Sequence, residues 1–549
     1  MDNWVLRRVM LTPERVAVDD GEVRYTFADV FKQAQRLGAV LDEYGAFAAQ
    51  RVAMVSNNTM RGYLLAVTLL LYGKTVVWLN KRLTDDELRQ QMHDAGVVSC
   101  LKDDGLSPRL LGDAPALGEV RVIGFDEIFG RAGQREGGRL TGDGRVAASK
   151  GEVRQKDDGS IDGDSDVSVV SVLSDSVSPS IQPSLSTPST LPSPLIPREF
   201  DDDHVVSIMF TSGSTGPAKG VQQTVRNHFV SATGVALNLG ADPADEWLCA
   251  VPIFHISGYS IILRGLIFGV TVRLMGHFDA AEMERILTDE PVTWISVVPT
   301  MLKQLVSERE RRAASGLGYS PSFKGFILGG EKSDSSLLER CDRLGMVVVR
   351  SYGMTETCSQ IVGTAIADGL RKPLSSGKPY FTTSLKLDES SGEILVKTGA
   401  LTPGYINRPG ALEAKKTTDG WYRTGDVGHF DEDGYLYVDG RLDNMLISGG
   451  EHVFPEEIER IYADCPYVDE IAVTAETDET WGEVPVAYVV AHGADGSLTA
   501  RLRDFGRERL PHYKVPHRFY LVETLPRTST GKIRRFLLGR CHTPGMSLA

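Results

Sequence analysis

The stretch MFTSGSTGPAKGV, residues 209–221, sets the reading of the whole chain. It follows the apolar run 205–210, so a loop rich in glycine and hydroxyl residues leaves the end of a strand. Glycine lets backbone N–H groups approach a ligand closely, and Ser and Thr hydroxyls add donors, a composition suited to a polyphosphate. A Walker loop needs Gly directly before its Lys and Ser or Thr directly after. Here Ala218 precedes Lys219 and Gly220 follows, so a P-loop NTPase is excluded.

On both sides of this loop, strand-like and helix-like segments alternate. RVAMVSNN (51–58) and TVVWLN (75–80) read as strands flanking a helix at 63–72. TDDELRQQMHDAG (84–96) reads as a helix capped by Thr84, with Glu87 closing a capping box and Gly96 at the C′ position. The alternation continues through the strand 97–101, the helix 280–287, the strands 292–298 and 323–330, the helix 336–344 and the strand 346–352. This predicts an α/β fold, with a large N-terminal domain of parallel-sheet layers covered by helices. Beyond residue 440 a small α+β domain is expected. Its helix starts at Pro455, followed by strands EIAVTA and VPVAYVVAH, a helix LTARLRDFGRERL and a basic end RTSTGKIRR. Residues 131–200 are Ser-, Pro- and Asp-rich, with too few large apolar residues to offset the entropy of ordering, and are expected to be a disordered insertion. The expected division is therefore 1–130 and 201–442 for the large domain, 131–200 for the insertion and 443–549 for the small domain.

Composition limits the function. A net charge of −14 over 549 residues argues against a nucleic-acid partner, which needs basic patches. The six cysteines show no CxxC pair, as expected of reduced thiols. The N-terminus lacks a signal-peptide core, the apolar run 62–73 is too short to span a bilayer, and Arg264 interrupts the longer run 256–275. No integral membrane segment and a cytoplasmic location are expected; a homodimer is compatible with the sequence.

Further stations follow in order: PIFHISG (252–258), LGGE (328–331), SYGMTE (351–356), WYRTGD (421–426), GRLDN (440–444), SGGE (448–451) and TGKIRR (530–535). Together with the glycine loop this series resembles the adenylate-forming superfamily of acyl-CoA synthetases, adenylation domains and luciferases. The resemblance spans the chain apart from the Ser/Pro segment. It implies an ATP-dependent ligase in which Thr211, Ser212, Gly213, Ser214, Thr215, Gly216 and Lys219 hold the outer phosphates. Gly330, Tyr352, Gly353 and Met354 would also bind ATP, with Tyr352 against the adenine. Thr355 would contact the α-phosphate, Glu356 would hold Mg²⁺, and Asp426 would accept from the ribose hydroxyls, since one carboxylate accepts two donors. Arg441 would reach the same nucleotide. Lys532 matches the family's catalytic lysine for joining acid to AMP. Taken alone, an isolated TGD is more often a turn, Tyr352 a core aromatic, and a lysine in a basic tail a solvated charge.

The resemblance also implies a second half-reaction with coenzyme A. The small domain would swing about Asp443, bringing Gly449 and Gly450 to the pantetheine arm and Trp481 to the CoA base. His255, Ser257, Gly258 and Ser351 would line the acid pocket, with His255 also facing the CoA tunnel. Asn444 departs from the second Asp that many members carry there. KGVQQTVRNHFVSATGVALNLG (219–240), PIFHISGYS (252–260) and SYGMTETCSQIV (351–362) are similar to the bacterial o-succinylbenzoate–CoA ligases of menaquinone synthesis. GGEKSD (329–334) departs from that pattern beside the acyl pocket. An aryl or medium-chain acid–CoA ligase and a stand-alone adenylation enzyme loading a carrier protein stay open. A non-catalytic nucleotide-binding protein is disfavoured, because Glu356 and Lys532 are both present.

Overall fold

The computed structural model describes residues 2–107, 111, 120–134, 197–211, 218–312, 318–330, 335–368, 371–372, 374–492, 496–527, 533–540 and 547–548. Two helix-covered sheets build the large domain, as the alternation predicts. A six-stranded sheet runs in the order Arg121–Gly124, Ser99–Lys102, Arg51–Val55, Thr75–Trp78, Val205–Thr211 and Lys219–Thr224. Its pairs are parallel except the last, which is an antiparallel hairpin around the glycine loop. The nine-stranded sheet has a parallel centre from Val348–Met354 to Val16–Asp19 and antiparallel edges.

The helices Met60–Leu71 and Ile256–Phe268 are apolar almost all round because both lie in the one core that joins the sheets. The helix Asp85–Ala95 has the punctuation read from its sequence. Thr84 and Glu87 form the reciprocal capping box, and Gly96 takes the left-handed conformation at φ 60°. Among the described residues, no helix is long and apolar enough to cross a membrane.

A third sheet was not anticipated: four antiparallel strands, Thr383–Leu387, Glu393–Thr398, Tyr422–Phe430 and Leu436–Arg441. After it the small domain has its own core, from Leu446 and Ile458 to Phe519, with the helices Pro455–Ala463 and Leu498–Arg507 beside a mainly antiparallel sheet. Pro455 stands in the first turn of its helix, as expected.

The expected insertion is shorter at both ends than 131–200. Residues 131–134 complete the helix Phe125–Gln134, where Ala132 is buried. At the other end Phe200 is buried edge-on against Trp4, with ring centroids 5.2 Å apart. These apolar contacts draw both ends into the folded domain. Residues 135–196 lie outside the described residues.

Candidate active site

The glycine loop connects antiparallel strands, with Thr211 opposite Lys219, and so differs in topology as well as spacing from a strand-to-helix phosphate loop. Ser212, Gly213, Ser214, Thr215 and Gly216 lie outside the described residues. The loop's base is clamped by Asn407, whose carbonyl accepts from Gly220 N at 3.2 Å while its amide donates to the Ala218 carbonyl at 3.0 Å. Lys219 Nζ lies 5.5 Å from the centre of the Tyr405 ring, and the Tyr405 hydroxyl donates to Glu356 at 3.0 Å. Lys219 and Glu356, the expected phosphate and metal ligands, thus face one tyrosine.

SYGMTE forms the end of the strand Val348–Met354 and a tight turn, Thr355–Thr357. Directly after it, Cys358 (φ 51°) and Ser359 (φ 94°) are non-glycine residues in left-handed backbone, a strain held only where the surroundings insist on it. Ser231 donates to the Cys358 carbonyl at 2.6 Å and Thr357 to the Ser359 carbonyl at 2.9 Å. Gly353 is required here, since a Cβ would stand 2.1 Å from the Ser359 carbonyl oxygen. Gln223 donates to the Thr355 carbonyl at 3.0 Å; its own carbonyl accepts from Ser207 at 2.7 Å, and His228 lies 2.9 Å from the same hydroxyl. Burial pushes the His228 imidazole down to about 3, so it stays neutral in this network.

Tyr352 donates to Asp426 at 2.7 Å, and Arg441 donates to the other carboxylate oxygen at 2.7 Å. Burial, then Asp426, push the Tyr352 phenol well above its ordinary value. Gly425 (φ 77°) leaves room for the Arg441 guanidinium, which would lie 2.9 Å from a Cβ there. Arg441 also faces Asp443 at 3.6 Å, so the nucleotide candidates run directly into the hinge candidate.

His255 stands at the N-terminus of the helix Ile256–Phe268, its ring 4.6 Å from that of Phe254. Gly258 lets the helix start rest on the preceding turn, because a Cβ would meet the Pro252 carbonyl at 2.3 Å. Ser257 is half-buried beside it, and Ser351 donates to the Leu328 carbonyl at 3.2 Å, next to Gly329 and Gly330. Further along the helix Arg264 is 2% exposed. It donates to Gln360 at 3.2 Å and lies 5.2 Å over the Trp247 ring, while its Nε has no hydrogen-bond partner among the described residues. No carboxylate among the described residues forms an ion pair with it, and burial pushes it down to about 10. A buried cation without an anion is costly. In the sequence Arg264 registers only as the charge that interrupts the apolar run 256–275. The signal, a lone charge inside an apolar helix, was already there.

In the small domain Gly449 (φ 58°) and Gly450 (φ 88°) turn the hairpin between Leu446–Ser448 and Glu451–Val453. Gly449 N donates to the Trp481 carbonyl at 2.9 Å, and the half-exposed indole covers the glycine so closely that a Cβ would lie 2.8 Å away. The expected CoA residues therefore share one surface. Lys532 lies outside the described residues. Among the described residues no cluster of three His, Cys, Asp or Glu is arranged for a metal. Glu356 as a single carboxylate fits Mg²⁺, which binds through one or two carboxylates, substrate phosphates and water.

This arrangement, two mainly parallel sheets with a hairpin glycine loop and a buried Asp426 held by the part-buried Tyr352 and Arg441 at the junction with a small domain, is that of a nucleotide-using enzyme of two domains. The chain belongs to the AMP-binding enzyme family: that family's model matches residues 5–406, and the model of the AMP-binding enzyme C-terminal domain matches residues 457–532. It is similar to the 2-succinylbenzoate–CoA ligase of Geobacillus kaustophilus, 37% identical over 98% of both chains. Among solved structures it resembles the o-succinylbenzoate CoA synthetase of Bacillus subtilis in complex with the acyl-adenylate intermediate OSB-AMP, with TM-score 0.81 and 31% identity over 99% of each chain. The same enzyme with ATP and a magnesium ion gives 0.79, with 32% identity over 98% of this chain and 99% of that one. A double mutant of it bound with the product analogue OSB-NCoA gives 0.66, with 31% identity over 99% of each.

Proposed function

We propose that the protein is an AMP-forming acid–CoA ligase that converts 2-succinylbenzoate, ATP and coenzyme A to 2-succinylbenzoyl-CoA, AMP and pyrophosphate, a step of menaquinone biosynthesis. A carboxylate is a poor electrophile. Its oxygen therefore first attacks the α-phosphorus of ATP, the bond to pyrophosphate breaks, and a mixed anhydride with AMP results. The CoA thiol then attacks the acyl carbon, AMP departs and the thiol proton is lost.

Each residue has a place in this scheme. Lys219 and the glycine loop hold the outer phosphates, Thr355 the α-phosphate, Tyr352 the adenine, and Asp426 with Arg441 the ribose. Glu356 would hold Mg²⁺, whose charge offsets that of the phosphates. Lys532 brings positive charge to the meeting of two anions, and preorganised charge of this kind typically supplies about 10²–10³ in rate. His255, Ser257, Gly258 and Ser351 surround the acid. Arg264 meets the substrate's second carboxylate. Gly449, Gly450 and Trp481 receive CoA after the small domain turns about Asp443. These co-substrates are cytoplasmic, the location proposed.

The observation that supports the reading is that the turn carrying Thr355 and Glu356 leads directly into the residue that accepts from the buried Arg264. On this reading Thr355 and Glu356 face the nucleotide, and Gln360, three residues after the turn, holds Arg264 against the far end of the acid. A monocarboxylate leaves that buried guanidinium without an anion. The test is pyrophosphate release with 2-succinylbenzoate, benzoate and octanoate. The reading expects 2-succinylbenzoate to lead by at least about 10²-fold in kcat/KM, since leaving a buried polar group unsatisfied costs about 1–3 kcal/mol and more for a charged one. Equal or better turnover of benzoate or octanoate would favour the aryl or medium-chain ligase instead.

A further inference from the structure

Beside the hinge, Asn444 donates to Glu456 Oε1 at 2.5 Å. The same oxygen faces Arg535 Nη2 at 3.6 Å, and Arg535 is held by Glu459 at 2.6 and 2.8 Å. Glu459 in turn accepts from the Val473 backbone at 2.7 Å, which fixes it to the small domain's sheet. Among the described residues Glu456 Oε2 has no hydrogen-bond partner. It projects into the space that Gly440 leaves empty on the last strand of the third sheet, where a Cβ would stand 2.8 Å from it and 2.9 Å from the Phe454 ring. Glu456 thus touches three things at once: the residue after the hinge, the segment that follows Lys532 by three residues, and the strand that carries Arg441. The overlay on the Bacillus subtilis enzyme is closer for the acyl-adenylate complex than for the product-analogue complex.

We propose that Glu456 is a positioning residue for the first half-reaction, registering the small domain on the nucleotide strand through Asn444, Arg535 and the gap at Gly440. This rests on the ligase reading above. Asn444 now has a physical reason. An aspartate there would set one carboxylate against another, whereas the amide supplies the donor that Glu456 needs. Gly440 is required for space rather than for backbone conformation, since its φ is not among the positive ones.

The test uses the full-length enzyme and reads two rates: acid-dependent exchange of pyrophosphate into ATP, and CoA-dependent consumption of supplied acyl-adenylate. Asn444→Asp should lower exchange by about tenfold, the size of one lost hydrogen bond to a charged group, Gly440→Ala should lower it by displacing Glu456, and neither should change thioester formation by more than about threefold. Adding Glu456→Gln to Asn444→Asp returns a donor–acceptor pair and should recover most of the lost exchange. The proposal is overturned if both rates fall together, if neither falls, or if the double variant exchanges no faster than Asn444→Asp alone. Should Gly440→Ala fail to fold, the Asn444→Asp pair decides alone. Lack of exchange in the parent enzyme would instead count against the ligase reading.

Discussion

Tyr352 and Arg441 grip Asp426 from opposite sides, each donating to a different carboxylate oxygen at 2.7 Å. The acceptor proposed for the ribose is therefore oriented before any nucleotide arrives. Asp426→Asn keeps the shape, removes the charge and puts a donor where Tyr352 or Arg441 already donates. It should raise KM for ATP by about 10- to 100-fold, with a smaller effect on kcat, since hydrogen bonds to charged groups contribute roughly 1.5–3 kcal/mol. Tyr352→Phe should raise it less. An unchanged KM in both, measured by pyrophosphate release, would remove Asp426 from the nucleotide site.

Lys532→Ala separates the half-reactions in another way. Adenylate formation should fall by about 10²–10³, while supplied acyl-adenylate still reacts with CoA at the parent rate. Equal loss of both in a folded variant would mean that the lysine serves something other than the first step.

Arg264 allows a test in which stability and activity move apart. Arg264→Met removes a buried charge with no anionic partner among the described residues, and replacing buried ions by apolar groups is often neutral or stabilising by about 1–4 kcal/mol. The melting temperature should hold or rise. Activity with 2-succinylbenzoate should fall by about 10²-fold, mainly through KM. A variant that loses stability and keeps its KM would make Arg264 a packing residue.

The neutral His228 gives the fold a pH dependence of known sign. Its pKa in the folded protein is pushed down to about 3 from an ordinary 6.5, so the unfolded chain takes up a proton first as pH falls. Stability from this group is complete above pH 6.5 and declines from there towards pH 3. At pH 5 the loss is about 2 kcal/mol, from 1.36 kcal/mol per pH unit. Chemical denaturation of the parent and His228→Gln at pH 7 and pH 5 measures it. The variant should lose less stability between the two pH values, and an identical loss would contradict the assignment.

Much of this was legible in the chain. Local rules sufficed for the helix Asp85–Ala95, whose Thr84, Glu87 and Gly96 behave as their spacing requires. Alternation sufficed for the parallel sheets, because strands buried on both faces read as continuous apolar runs. It did not reveal the third sheet, whose strands are antiparallel and in part half-exposed and lack crossover helices. The ordered motifs located Tyr352, Asp426 and Arg441, but their mutual grip needs strands far apart in sequence. Gln223 likewise stands near the glycine loop in sequence yet supports Thr355, 132 residues away. Arg264 shows the limit most clearly. In sequence it only breaks an apolar run, and the missing anion is seen only once the neighbours Trp247, Ser359 and Gln360 are assembled around it.

The central claim is that the acid is joined to AMP before coenzyme A takes part. Exchange of labelled pyrophosphate into ATP, run with magnesium and 2-succinylbenzoate but without CoA, tests it most directly. The account predicts exchange that depends on the acid and stays unchanged when CoA is withheld. Exchange that requires CoA, or cleavage of ATP to ADP and phosphate, would contradict it.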